Sequence, residues 1–346
     1  MLFVRLRTLT NQFIARGVLA QTPAGLYRFS LLHLKVNPSP AVHHQAVPLA
    51  VAALVPAVEI NQIPPAMVDF YQNKKVLITG GSSGIGLALA KLFVQNRANV
   101  CILARNPDNL QKAVSHLEGF RPSPNVEISS ISADVSNSLN LNNALSLLIS
   151  RWKKVDILIN SAGVAHPGEF WDLEEEIFHQ MMQINYFGTV NAIRAVLPPM
   201  LAAKDGIIVN ISSIVGYLNI YGYTAYGASK HAVTGLSDAL RMELKPQGIQ
   251  VALVYPPDTD TPQLAYENQY KPQITKMLAS SGGIIHPDQV AREILSGVAN
   301  RKYLILPGLE NKLIYLTIRL LGKGLAYALM DRMVASALQR KSAAKK

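Results

Sequence analysis

The chain carries one cysteine, Cys101, among 346 residues. A lone thiol inside an apolar run excludes an internal disulfide framework and is compatible with a reducing compartment. Its eight histidines fall at no spacing that would build a metal site. Charge is also scarce: charged residues make up 16% of the chain against 49% hydrophobic. That balance suits a buried parallel sheet and also points to membrane contact. Acidic residues are missing before Glu59, although Arg5, Arg7, Arg16, Arg28 and Lys35 come earlier. No internal repeat is present. The apolar run Val47 to Ile60 is interrupted by Pro48 and Pro56, and it falls short of the ~20 residues a spanning helix needs.

What is there in quantity is apolar material and positive charge. The length allows one large or two ordinary domains with an ample core. A net charge of +11 fits nucleic acid, a phosphorylated cofactor or anionic lipid. The excess cations cluster in the apolar-rich termini, which argues against nucleic acid. Residues 1–73 read as a basic, apolar extension with a linker from Pro38 to Pro65. Its composition fits an amphipathic membrane-surface helix or a transit peptide, and equally an extension without order. Order is expected to start at Lys74.

From there strands and helices alternate. Lys75 to Ile78 is a buried strand that runs into Thr79-Gly80-Gly81-Ser82-Ser83-Gly84-Ile85-Gly86, followed by a helical pattern through Leu87, Leu89, Leu92 and Phe93. Glycines between a strand and a helix let the backbone approach a pyrophosphate, and the helix N-terminus offers free N–H groups and the positive end of its dipole. Asn99 to Ala104 is a second strand and ends at Arg105. An acidic residue there would bind the ribose 2′-hydroxyl; an arginine pairs with a 2′-phosphate, with Ser82 as a further donor. The expected cofactor is therefore NADPH, the bland alternative being a solvated arginine at a strand end.

Asn125 to Ile131 is expected as a third strand, and Asp134, with Val135 beside it, is placed to accept from the adenine amino group. Val155 to Ile159 is a fourth, ending in the small-residue turn Asn160-Ser161-Ala162-Gly163 over which a cofactor can pass. Glu174 to Met182 and Asn185 to Met200 read as helices, the second closed by Pro198 and Pro199. Asn185, polar in an apolar run, is either a structural bond-maker or part of a proton relay. A fifth strand, Gly206 to Ile211, delivers Ser213 to the C-terminal edge of the sheet, where ligands bind in such folds. The alternation predicts an α/β, doubly wound parallel sheet of Rossmann type covered on both faces.

Tyr226 and Lys230 follow in the sequence Tyr226-Gly227-Ala228-Ser229-Lys230. On a helix this spacing puts both on one face. A fixed ammonium one turn away favours the phenolate and is expected to lower the tyrosine pKa. Such a pair can exchange a proton with an oxygen on carbon. Alone, the motif is weak, since most Tyr–Lys pairs on helices are neighbours without chemistry.

Together, the glycine loop, the Asn160–Gly163 turn, Asn185, Ser213 and the Tyr226/Lys230 pair resemble, in order and spacing, the short-chain dehydrogenase/reductases from about Lys74 to Arg301. The resemblance implies that Tyr226 is the general acid for carbonyl reduction and that Lys230 lowers its pKa and binds the nicotinamide ribose. It further implies that Ser213 orients the substrate carbonyl and that Asn185 holds a relay water. The turn departs slightly from the family's usual double asparagine. After the sixth strand, Ile249 to Val254, the run Tyr255-Pro256-Pro257-Asp258-Thr259-Asp260-Thr261-Pro262 is similar to the 3-ketodihydrosphingosine (3-dehydrosphinganine) reductases. That implies NADPH-dependent reduction of a long-chain-base ketone, with Pro256 and Thr259 or Thr261 beside the nicotinamide. Asp258 and Asp260 are either turn residues or a partner for a substrate ammonium. A hydroxysteroid or 3-oxoacyl reductase on the same scaffold is the alternative, because substrate choice lives in loops. A non-catalytic NADPH-binding scaffold is the third reading, disfavoured by the intact Ser213, Tyr226 and Lys230.

The catalytic domain is expected over 74–308. Leu313 to Met330 is one long apolar stretch with Arg319 and Lys323, followed by a basic tail through Lys346. Within 309–346 this reads as an interfacial amphipathic helix on a membrane lipid surface; the rivals are a subunit contact or a cover for the substrate tunnel. The resemblance allows a homodimer or homotetramer. It implies the cytosolic face of the endoplasmic reticulum in a eukaryote and the cytoplasm or inner membrane face in a bacterium.

Overall fold

The computed structural model describes residues 65–279 and 283–343, together with a short antiparallel strand pair, Leu19–Gln21 with Tyr27–Phe29. Most of the basic N-terminal extension, Val47 to Ile60 included, lies outside the described residues, as does the end of the basic tail.

Seven strands form one sheet: β1 (Lys75–Thr79), β2 (Asn99–Ala104), β3 (Ile128–Ser132), β4 (Ile157–Asn160), β5 (Gly206–Ile211), β6 (Ile249–Val254) and β7 (Leu304–Ile305), in the order β3-β2-β1-β4-β5-β6-β7. Every pairing is parallel. The sequence explains why. Alternate residues of β1 point to opposite faces, so Val76 and Ile78 join one core while Leu77 joins the other. With both faces apolar the strands must be sandwiched between helices. The first face is covered by α2 (Gly84–Gln95), α3 (Pro107–Glu118) and α10 (Pro287–Ala299), the second by α4 (Ser138–Trp152), α6 (Gly188–Ala203) and α7 (Thr224–Leu244). Cys101 sits in the second core, where burial pushes its thiol up to about 11 and keeps it unreactive.

Four expectations are corrected. Order begins before Lys74, with helix α1 (Pro65–Tyr71). Tyr71 is fully buried against Phe93 and its hydroxyl donates to the Leu295 carbonyl at 2.7 Å, so the catalytic body reaches back beyond Lys74 to the end of the expected linker. The third strand starts at Ile128, after a Pro-containing turn, rather than at Asn125. Helix α5 (Glu175–Met181) does not stop before Asn185: it passes through a π-helical segment, Met182–Phe187, into α6. Nor do Pro198 and Pro199 close α6. They lie inside it, and fully buried Met200 holds the last turn against the core until Lys204 caps it in the left-handed region.

The C-terminal segment is not one helix. Helix α11 (Leu309–Leu321) ends at Gly322, whose φ of 78° is open to glycine, and α12 (Lys323–Ala343) departs at 115°. Among the described residues no single helix is long and apolar enough to cross a membrane, though this bent pair passes that test jointly. Both helices pack on the catalytic body. Ile314 and Ala326 lie in one cluster with Tyr217 and Tyr255, and Ala337 meets Ile274 and Leu278 of α9 (Gln273–Ala279).

Candidate active site

The C-terminal ends of β1, β2, β4, β5 and β6 open onto connected cavities. The first, about 240 Å³, is lined by Gly80, Ser82, Ser83, Gly84 and Ile85 on one side and by Ser213, Tyr226 and Lys230 on the other, with Pro256 and Thr259 above. Its neighbour, also about 240 Å³, shares Gly80, Ser82, Ser83 and Gly163 and continues past Arg105, Asp134, Val135 and Ala162. The two cavities together thus bring fifteen of the sequence-predicted site residues into one trough.

The trough is built for a dinucleotide. Gly80 has φ 68°, and a Cβ there would sit 2.7 Å from the Ala162 backbone nitrogen. At Gly86 a Cβ would collide with the Gly80 carbonyl oxygen, so this glycine lines no cavity but lets helix and turn close up. Helix α2 starts at Gly84 with no side-chain cap and no acidic residue in its first turn. Its N–H groups are therefore open to an anion, which the helix dipole favours. The Thr79 hydroxyl accepts from Ala162 N–H at 3.2 Å and fixes the glycine loop against the Asn160–Gly163 turn. These features fit an NAD(P)-type cofactor. At its adenosine end Arg105 and Asp134 stand 4.0 Å apart, the arginine side chain 61% exposed and within reach of an added phosphate. Asp134 also accepts from the Ser136 N–H and hydroxyl, which fixes its carboxylate at the rim.

Asn160 departs from expectation. Its side chain turns away from the trough and donates to Asn210 Oδ1 at 2.8 Å, and Asn210 in turn donates to Ser237. Asn185 likewise lines neither cavity. Its Oδ1 accepts from Val164 N–H at 2.8 Å, and its Nδ2 donates to Val164 O at 2.9 Å and Ser229 Oγ at 2.8 Å. Both amide hydrogens are thereby used, which makes Asn185 a clamp between the β4 turn and α7. The π segment that carries it sets this reach, as such segments do at functional sites.

Ser213, Tyr226 and Lys230 do come together. Ser213 caps a short 3₁₀ turn, Ile214–Gly216, its hydroxyl accepting from Val215 N–H, and it lines the same cavity as Tyr226. Lys230 lies on the same face of α7 and donates to the Ile211 carbonyl at 3.0 Å, its Nζ 5.7 Å from the Tyr226 ring centre. The expected lowering of the Tyr226 pKa does not occur. Burial, reinforced by the field of Glu267, pushes the Tyr226 hydroxyl well above its ordinary range, while bonds from Ser213 and Gln263 pull it partly back. Burial lowers Lys230 to about 8, opposed by Glu267. Desolvation disfavours both charges and outweighs their mutual attraction. A neutral phenol is the form that can donate a proton.

Sequence reasoning missed the roof. Helix α8 (Pro262–Tyr270) presents Gln263 and Glu267 to the trough, with Lys271 just beyond its end. The spacing of four between these residues was the available signal. Thr261 caps α8, accepting from Leu264 N–H at 3.3 Å, and its methyl lies over Gly84. Thr259 is buried and donates to the Pro257 carbonyl at 2.8 Å. Asp258 faces the trough and stands 3.7 Å from Lys271, whereas Asp260 does not line the trough.

A third cavity, about 250 Å³, opens from the same serine. Ser213, Val215, Ile220, Pro257 and Asp258 belong to both, and the wall beyond them is mostly apolar, with Leu218, Ile284, Leu309, Ile314, Met330 and Met333, but also carries Gln289, Glu310 and Asn311. Helices α11 and α12 supply most of the outer side.

Comparison with known proteins agrees with this geometry. The family profile described as short chain dehydrogenase matches residues 74–272. A 3-ketodihydrosphingosine reductase of Bos taurus is 40% identical over 221 residues, covering 64% of this chain and 67% of the relative. One from Dictyostelium discoideum is 36% identical over 276 residues, covering 75% and 83%. Among solved structures, a short-chain dehydrogenase from Sphingobium yanoikuyae in complex with NADPH superposes with a TM-score of 0.62 at 27% identity, covering 73% of this chain and 95% of the other. A parallel sheet with an open glycine loop, a Ser–Tyr–Lys set at its C-terminal edge and these relatives have one common reading: the chain belongs to the short-chain dehydrogenase family.

Proposed function

We propose that this protein reduces the 3-keto group of 3-ketodihydrosphingosine to sphinganine, using NADPH. The observation that carries the substrate class is the apolar cavity joined to the trough at Ser213: a polar reacting head and an apolar tail would lie in adjoining spaces. The names of the relatives support the same choice.

Bound NADPH would supply the hydride to the carbonyl carbon. The glycine loop and the start of α2 would hold its pyrophosphate, and Arg105 its 2′-phosphate. Ser213 would donate to the substrate carbonyl oxygen and orient it. Tyr226 would pass its proton to that oxygen as the alkoxide forms, so the phenolic O–H breaks as the alcohol O–H is made. Lys230, charged below about pH 8, would stabilise the transient phenolate and bond the nicotinamide ribose. Asn185 would act by holding α7 against the β4 turn.

Membrane association is part of the proposal. Leu320 and Leu321 are 63% and 61% exposed at the bend between α11 and α12, next to Arg319 and Lys323. Leucines flanked by cations suit the headgroup boundary of an anionic bilayer, with the reacting head on the cytosolic side. The test of the reaction is NADPH oxidation by the purified full chain with 3-ketodihydrosphingosine, with sphinganine identified by mass spectrometry. The test of the surface is co-sedimentation with anionic vesicles: Leu320→Glu with Leu321→Glu should leave the protein in the supernatant, and undiminished pelleting would remove this bend as the contact.

A further inference from the structure

Glu267 has no part in the hydride or proton transfer, yet it is a carboxylate only 7% exposed in the wall of the catalytic trough. Its two oxygens accept from neutral donors, Oε2 from the Tyr223 hydroxyl at 2.6 Å and Oε1 from Gln263 Nε2 at 2.9 Å. Among the described residues no cation stands within salt-bridge distance of it; Lys271 is held 3.7 Å from Asp258 instead. An ionised carboxylate has about four lone-pair sites, so two remain for a further donor. Burying a carboxylate without a cation is unfavourable, and its pKa is raised by that burial, against the bonds from Tyr223 and Gln263 and the charge of Lys271.

The position is as informative as the charge. Gln263, which donates to Glu267, also acts on the Tyr226 hydroxyl and pulls its pKa down. The carboxylate is therefore one amide group away from the proton that a ketone oxygen would receive. In an α-amino ketone the nitrogen sits on the carbon next to the carbonyl, so a carbonyl oxygen at Tyr226 leaves its ammonium in the space that Gln263 and Glu267 border. The tail leaves from the other side of the carbonyl, toward Leu218 and Ile314. Resting on the lipid-ketone reading above, we propose that Glu267 is the counter-ion for the substrate's 2-ammonium group and so selects α-amino ketones over plain long-chain ketones. Asp258, also in the wall but with its side chain 49% exposed and already facing Lys271, is the competing carboxylate. Specificity of this kind comes from a buried polar group that is left unpaired by the wrong substrate.

The test compares kcat/KM for 3-ketodihydrosphingosine and for the same ketone with hydrogen in place of the ammonium. Wild-type protein should prefer the amine by roughly 10- to 100-fold, the range for one hydrogen-bonded charge. Glu267→Gln keeps an oxygen for Tyr223 and should collapse that ratio to near unity, while Asp258→Asn should leave it. A ratio near unity in the wild type would overturn the proposal without any variant. An unchanged ratio in Glu267→Gln would do the same, whether or not both rates fall together, because a merely structural role moves both substrates alike. Collapse in Asp258→Asn alone would move the role to Asp258. If the wild type turns over neither ketone, the lipid-ketone reading itself fails and takes this proposal with it.

Discussion

Replacing Met330 with tryptophan separates an alkyl-chain cavity from an incidental gap. Met330 reaches from α12 into the cavity of about 250 Å³, and methionine is an adaptable, unbranched side chain, so a larger residue can enter without moving the backbone. Each methylene kept out of an apolar site forfeits ~0.8 kcal/mol. Excluding four would forfeit about 3 kcal/mol, or roughly 200-fold in kcat/KM. A short-tailed amino ketone that never reaches α12 has nothing to lose. The assay is steady-state NADPH oxidation with long- and short-tailed substrates, each below the concentration at which it forms micelles, alongside a thermal melt to establish that the variant is folded. The long-tailed substrate should lose most of its advantage. Equal losses for both tails, or none, would refute the assignment and return the tail to the bilayer.

Other consequences can be checked independently. Arg105→Ala should reduce the preference for NADPH over NADH by roughly 10-fold, the low end for a charge-assisted bond because the side chain is mostly exposed; an unchanged preference ends its phosphate-reading role. Lys230 titrates at about 8 in the folded chain against its ordinary 10.5, so between these values the unfolded state binds more protons and stability rises with pH. The penalty is complete below pH 8 and gone above 10.5, and Lys230→Met should abolish this part of the rise in denaturant titrations across that window. Asn185→Ala, which strands the Val164 N–H and carbonyl, should destabilise the fold by about 1–3 kcal/mol, read as a lower midpoint of unfolding.

The legible and illegible parts of this chain differ for a physical reason. The strands and the two-faced core follow from local apolar runs such as Val76 to Ile78, and the glycine loop follows from steric demands that few residues can meet. Ser213, Tyr226 and Lys230 were readable because their chemistry needs fixed spacing after a strand end. Burial was not readable. Whether Lys230 lowers the Tyr226 pKa depends on how much water both have lost and on Glu267, which reaches them from another element. Asn160 and Asn185 were placed in the site by motif, yet their amides are used in holding strands and helices together. The break at Gly322 splits the expected single helix in two, and both pieces also line the apolar cavity. A single glycine with positive φ decides that, and hydropathy averages over it.

The most direct test is a single-turnover comparison of wild type and Tyr226→Phe with NADPH and 3-ketodihydrosphingosine. The ring remains to pack against Tyr223 and Val215, so only the proton donor is removed. The account predicts that NADPH still binds, as read by its fluorescence, while the reduction step slows by roughly 10²- to 10⁴-fold, the range for a positioned general acid. A Tyr226→Phe protein that forms sphinganine at the wild-type rate would contradict it.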